Sequence, residues 1–191
     1  MSKNRLEAFS DGVFAIIITI MVLELKVPHG SDLAALQPLW PVFLSYVMSF
    51  VFVAIYWINH HHLLQASSQV NGPILWANSH LLFWLSLVPF VTGFMGENHF
   101  AAVPVALYGV VLLCAGVAYK ILAMALIKHH GEDSLLATAL RGDFKGNASL
   151  VIYATGVALA VFLPWLACAL YGVVSVMWLV PDRRRETRIG H

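Results

Sequence analysis

Four long stretches of this chain, residues 33–59, 73–95, 100–119 and 148–180, contain no Asp, Glu, Lys or Arg. A helix crossing a hydrocarbon core about 30 Å thick needs about 20 residues of this kind. Each stretch is long enough alone, and the third continues past Lys120 to residue 127. Across the 191 residues, 60% are hydrophobic and 11% charged, against a globular norm of about 45–50% and about a quarter. A soluble domain of this size has too little interior for that much apolar surface, whereas lipid accepts outward-facing apolar side chains. The formal net charge of +1 offers no basic footprint for nucleic acid, so that class of partner is set aside.

The stretch 148–180 is too long for one upright helix and short for two. Pro164 near its middle predicts a tight turn between two short spans. Charge placement supports the division. With six spans and a cytoplasmic N-terminus, Lys3, Arg5, Lys128, Arg141, Lys145, Arg183, Arg184, Arg185 and Arg188 fall on the cytoplasmic side, Lys120 lies near it, and Lys26 alone is outside. That is the distribution of the positive-inside rule; five spans would export the four C-terminal arginines. The expected architecture is all-α, a six-transmembrane-helix bundle forming one domain over 1–191, with spans at about 7–27, 34–62, 73–96, 101–128, 147–163 and 165–181. The expected location is the inner (plasma) membrane, multi-pass, with both termini cytoplasmic. The first residues are basic, but no small-residue cleavage site follows, so the first segment is read as a retained span rather than a secretory signal. Residues 129–146 read as a polar cytoplasmic loop with a short helix, and the tail after Pro181 as charged and mobile.

The first span departs from the lipid-facing pattern. Only twelve residues, 12–23, separate Asp11 from Glu24, with Glu7 and Lys26 beyond. Twelve helical residues rise about 18 Å, so acidic groups reach the membrane interfaces or lie inside them. Facing hydrocarbon would cost each about 2.5 kcal/mol or more at depth. The helix is therefore expected inside an assembly, against other helices or a water path. Ile16, Ile20 and Leu23 follow i, i+4, i+7 spacing and form one stripe flanked by Thr19. Because nearly every neighbouring position is apolar, periodicity alone does not separate this stripe from ordinary packing residues. Ser10 or Asp11 would serve as a helix cap on local grounds, which leaves Arg5 and Phe9 without a local reason.

The string Arg5-x-x-x-Phe9-Ser10-Asp11-Gly12, running into the Ile16 to Leu23 stripe, together with Trp57-x-x-His60-His61 at the end of the second span, resembles the transmembrane protein 175 family of potassium channels. The small prokaryotic members are the nearest in form, with six spans in under 200 residues. The resemblance implies a homotetramer of six-helix subunits whose four first helices line a central pore, with no re-entrant filter loop. It implies that Ile16, Ile20 and Leu23 are rings constricting the pore and that Thr19 contributes to selectivity. Arg5, Phe9, Ser10, Asp11, Trp57, His60, His61 and Asn78 would belong to a structural polar network holding the first helix to its neighbours. The implied function is passive, modestly potassium-selective cation conduction, with potassium as the permeant ion, the lipid bilayer and the chain's own copies as partners, no cofactor and no enzymatic activity. An apolar ring of this kind closes by dewetting and opens when small rotations widen it, and a closed fourfold arrangement turns one stripe into a complete ring.

Two other readings come from different classes. Nine histidines raise a metal-dependent membrane enzyme, but consecutive helical residues point about 100° apart, so His60, His61 and His62 cannot all ligate one ion. Recruits such as His80, His129 or His130 would be needed, and no metal site is assigned. A proton-coupled transporter would use Asp11, Glu24 and histidines as a relay, but no inverted repeat is evident. The hexapeptide Ala-Leu-Tyr-Gly-Val-Val occurs at 106–111 and 169–174; it is read as coincidence, and its Tyr-Gly pairs lack the Thr-Val-Gly-Tyr-Gly context of a carbonyl filter. Cys114 and Cys168 are read as packing residues. Asn78 and His80 should face protein or the interface, the tryptophans should anchor span ends, and Lys120 should snorkel toward the cytoplasmic side.

Overall fold

The computed structural model describes residues 2–131, 137 and 143–180. Among them the regular structure is all helical. The helix α1 spans Lys3–Leu23, a 3-10 turn at Leu33–Leu39 leads into α2 at Trp40–Gln65, and α3 (Gly72–Ser86) and α4 (Val88–Glu97) follow. The chain continues through α5 (Ala102–His130), α6 (Phe144–Ala160) and α7 (Pro164–Leu179). Because α3 and α4 run on as one crossing, these elements make six rods. Four of the rods are long and apolar enough to cross a membrane.

Proline placement explains most of the boundaries. Pro41, Pro73, Pro89 and Pro164 all stand in the first turn of a helix, where the missing N–H has no intrahelical partner to lose. Pro89 is also the reason the third rod is two helices. Its ring excludes the carbonyl four residues back, at Leu85, so the helix is interrupted at Leu87 and restarts. The expected turn before Pro164 is present: Phe162 and Leu163 both donate backbone bonds to the Leu159 carbonyl, and α7 begins at the proline. At 17 and 16 residues, α6 and α7 are each about 25 Å long, a short hairpin leaning on α5. The expected loop helix within 129–146 and the tail after Pro181 fall mostly outside the described residues.

The helix α5 is the centre of the bundle, packing on α3, α4, α6 and α7, while α1 packs on α2, α3 and α4. Its buried line of Tyr108, Leu112, Ala115, Ala118, Leu122 and Leu126 mixes bulky and small side chains, which lets neighbouring helices approach closely in a medium where apolar burial drives no association. The two copies of the hexapeptide meet in this seam. Tyr108 and Tyr171 are both fully buried, with ring centroids 6.0 Å apart. Gly109 is needed for that contact, since a Cβ there would lie 1.9 Å from the Tyr171 hydroxyl. A chain of hydroxyls crosses the interior beside it. Thr92 Oγ1 lies 2.6 Å from both the Val88 carbonyl and Ser49 Oγ, and Ser49 Oγ lies 3.0 Å from the Tyr108 hydroxyl. Thr92 donates to both the Val88 carbonyl and Ser49 Oγ, and either member of the Ser49–Tyr108 pair can be the donor. Each of these three hydroxyls has a partner, and α2, α4 and α5 are joined where no water competes.

Candidate functional site

One helix is buried on one side and bare on the other. In α1 the buried residues are Leu6, Ser10, Phe14, Ile17 and Met21, steps of three and four that trace a single face. The opposite face carries Phe9, Ile16, Ile20 and Leu23. Ile16 is 57% exposed and Leu23 75%, whereas Ile17, one position on from Ile16, is 3% exposed. Gly12 belongs to the bare face too, with open space where a Cβ would stand. The Thr19 hydroxyl donates back to the Ala15 and Ile16 carbonyls, both at 3.0 Å. That leaves its lone pairs as the polar feature of an otherwise apolar surface.

At the N-terminal half of α1 the buried face is polar and tied to α2 and α3. Asn78 Nδ2 donates to Ser10 Oγ at 3.0 Å, Ser10 donates to the Leu6 carbonyl at 2.8 Å, and Asn78 Oδ1 lies 2.7 Å from His60 Nε2. Ser10, Asn78 and His60 are all buried. Since Asn78 Nδ2 is committed to Ser10, its oxygen must face His60, and His60 must donate from Nε2. His60 Nδ1 is then left as a buried acceptor without a partner among the described residues, against the tilted ring of Phe14 at 5.5 Å. A second cluster sits alongside. Trp57 Nε1 donates to Asp11 Oδ1 at 2.9 Å, Trp57 stacks on His61, and His61 Nδ1 lies 3.3 Å from Glu7 Oε1.

Of the residues singled out from the sequence, Ser10, His60 and Asn78 come together in the first cluster and Asp11, Trp57 and His61 in the second. Arg5 and Phe9 lie on the exposed face of α1, outside both. Ser10 and Asp11 are interior to a helix that starts at Lys3 after an N-cap at Ser2, so neither acts as a cap. Glu7 was not among the residues singled out for this network. Its signal was available, as it stands one helical turn before Asp11 on the same side. The remaining histidines disperse. His80 accepts from Trp84 Nε1 at 2.9 Å, His129 pairs with Asn71, and His130 binds backbone amides. At the far end of α1, Lys26 is bonded to Glu97, which closes the turn after α1 onto the end of α4. That bond, then the charge of Glu97 and more weakly that of Glu24, hold the Lys26 ammonium above its ordinary pKa of 10.5.

A bundle of lipid-compatible helices, with its most polar contacts buried at one end and one helix face left apolar and uncovered, defines a multi-pass membrane protein. The chain belongs to the family described as Endosomal/lysosomal potassium channel TMEM175, a family of ion channels and not of enzymes, whose sequence model matches residues 5–89. A protein of Chryseobacterium sp. (strain P1-3), named a potassium channel, is 55% identical over 186 residues, covering 97% of this chain and 97% of the relative. Another so named, from Chamaesiphon minutus (strain ATCC 27169 / PCC 6605), is 30% identical over 191 residues and covers 91% of each chain. The fold also matches a crystal structure described as a lysosomal potassium-selective channel TMEM175 homolog from Chamaesiphon minutus. The TM-score is 0.81 with 27% identity, covering 93% of this chain and 96% of that one.

Proposed function

We propose that this protein conducts potassium passively through a pore on the axis of a homotetramer, each copy contributing its α1. The observation that carries the reading is the bare stripe of Ile16, Ile20 and Leu23 on a helix whose other face is fully packed. Glu7 and Asp11 tie the helix to α2 through His61 and Trp57, so the bare face turns away from that side, and in a central passage the bare faces of four copies meet one another. Four copies bring the stripe into three stacked apolar rings, which exclude water when narrow and pass ions when widened. The Thr19 ring lies between the first two, and its outward lone pairs supply the acceptors that favour a dehydrated potassium ion. A side-chain ring offers fewer fixed dipoles than a carbonyl filter, so the selectivity is modest. The two polar clusters hold α1 at its N-terminal end, and Arg5 and Phe9, exposed on the single subunit, face the neighbouring copies. The names of the relatives, potassium channels in two bacteria, and the described selectivity of the solved homologue support the same ion. The protein resides in the plasma membrane with both termini cytoplasmic, as its lysines and arginines favour.

Purified protein in liposomes should release loaded potassium faster than empty liposomes and more readily than sodium. Changing Ile16 to Asn should raise the resting leak. Potassium flux no greater than the liposome background would end this reading.

A further inference from the structure

His130, at the last position of α5, makes three contacts that leave its protonation no freedom. Its Nδ1 lies 2.9 Å from the Leu126 carbonyl, which can only accept, so Nδ1 carries a proton. Its Nε2 lies 3.1 Å from the Ser68 amide nitrogen and 3.3 Å from that of Gln69, and both of those can only donate. Nε2 must therefore be the bare acceptor, and the ring is the neutral Nδ1–H tautomer. A second proton would place an N–H against two N–H groups and end both bonds. Ser68 and Gln69 lie in the connection 66–71 between α2 and α3. That connection joins the helix carrying Trp57, His60 and His61 to the helix carrying Asn78, so it spans the two partners that grip α1.

We propose that His130 is a proton-sensitive latch on the α2–α3 connection, fastened by the neutral imidazole and released by the imidazolium. Nothing charged on the connection opposes this, since its residues are Ala66, Ser67, Ser68, Gln69, Val70 and Asn71. The other titratable or charged groups on the elements meeting at this end are Lys128 and His129 on α5, His60, His61 and His62 on α2, and Lys3, Arg5 and Glu7 on α1, with Glu7 against His61. His129 is held by Asn71 at 3.1 Å and Lys3 reaches the Gln65 carbonyl. Glu132 and Asp133 follow in the sequence outside the described residues. Among the described residues no carboxylate is paired with His130, so none of them stands ready to replace the lost amide bonds. Acid releases the connection and loosens the α2 to α3 register that positions Asn78 between Ser10 and His60. The consequence for conduction rests on the function proposed above, while the latch itself does not.

Amide hydrogen exchange on the full-length protein in lipid nanodiscs, corrected for intrinsic pH dependence, tests the latch. At pH 7.5 the Ser68 and Gln69 amides should exchange about tenfold more slowly than in an unstructured peptide, and at pH 5.0 that protection should be gone. In His130→Gln the side-chain oxygen accepts at either pH, so protection should be the same at both. The ¹⁵N shift of His130 in the unaltered protein reads the Nδ1–H tautomer directly and needs no variant to fold. Equal wild-type protection at the two pH values, an Nε2–H tautomer at pH 7.5, or pH dependence that persists in His130→Gln would each overturn the latch. Potassium efflux from liposomes buffered alike on both faces should differ between pH 7.5 and 5.0 in the wild type and not in His130→Gln. No efflux at any pH would refute the channel reading and leave the exchange result standing. Efflux indifferent to pH beside pH-dependent exchange would refute the coupling alone.

Discussion

Asn78 donates to Ser10 across the α3 to α1 contact at 3.0 Å, and neither residue has any surface exposed. The bond sits where no solvent can stand in for a lost partner, so its two ends depend on each other more than on their own helices. Truncating Asn78 to Ala leaves the Ser10 oxygen and His60 Nε2 both without it. The expected cost is about 1–3 kcal/mol, seen as a lower midpoint in thermal unfolding of the purified protein. Asn78→Asp keeps an acceptor for His60 and should fall between the two.

Ile16 and Ile17 are adjacent and chemically identical, yet one is 57% exposed and the other 3%. Ile17→Asn should bury an unpartnered amide and destabilise by about 1–3 kcal/mol on the scale of protein mutational data, with loss of folded yield. Ile16→Asn should leave the unfolding midpoint within about 0.5 kcal/mol of the wild type while raising potassium leak in liposomes. Equal destabilisation by both changes would mean that the α1 faces are assigned wrongly.

Tyr171 lies against Gly109, where an added methyl group would stand 1.9 Å from its hydroxyl. Gly109→Ala should overpack the α5 to α7 seam and cost about 1–3 kcal/mol. Pairing it with Tyr171→Phe, which removes the oxygen and its 3.4 Å contact to the Val105 carbonyl, should recover part of that loss. A double variant no more stable than Gly109→Ala alone would locate the clash elsewhere.

The Lys26–Glu97 pair sets a pH dependence of definite sign. A basic group whose folded pKa is raised contributes stability that is complete below its ordinary value of 10.5 and disappears as pH rises through the folded value. Lys26→Met should therefore unfold at a lower temperature than the wild type at pH 8, and the two should converge as the pH is taken well above 10.5. Because the pair is exposed, the difference should be small and should shrink further in high salt.

The helical class was legible because it follows from local requirements. A long run without charge must satisfy every backbone group internally in lipid, and a helix does so within one segment. Pro164 announced the last turn for the same reason. Pro89 carried an equal signal inside 73–95, but it was absorbed into one apolar run, because prolines are tolerated inside membrane helices as well as at their starts.

The polar clusters were partly legible. Ser10, Asp11, Trp57, His60 and Asn78 stand out because polar groups in an apolar helix need partners, whereas Glu7 sits near a chain end where charge is ordinary. Which group meets which was not readable. Asn78 is 68 residues from Ser10 and 18 from His60, and only the packing of α3 against both α1 and α2 brings the three together.

From its residues alone this chain was bound to be a multi-pass helical protein, since lipid leaves so apolar a sequence no other way to satisfy its backbone. The direction in which α1 turns its faces is different in kind. Nearly all its side chains from Val13 to Leu23 are apolar, so hydrophobicity assigns no inside, and Ile16 and Ile17 are indistinguishable as letters. Packing decides between them: Ser10 must reach Asn78 and Asp11 must reach Trp57, and those two distant bonds rotate the helix until Ile16, Ile20 and Leu23 are left bare.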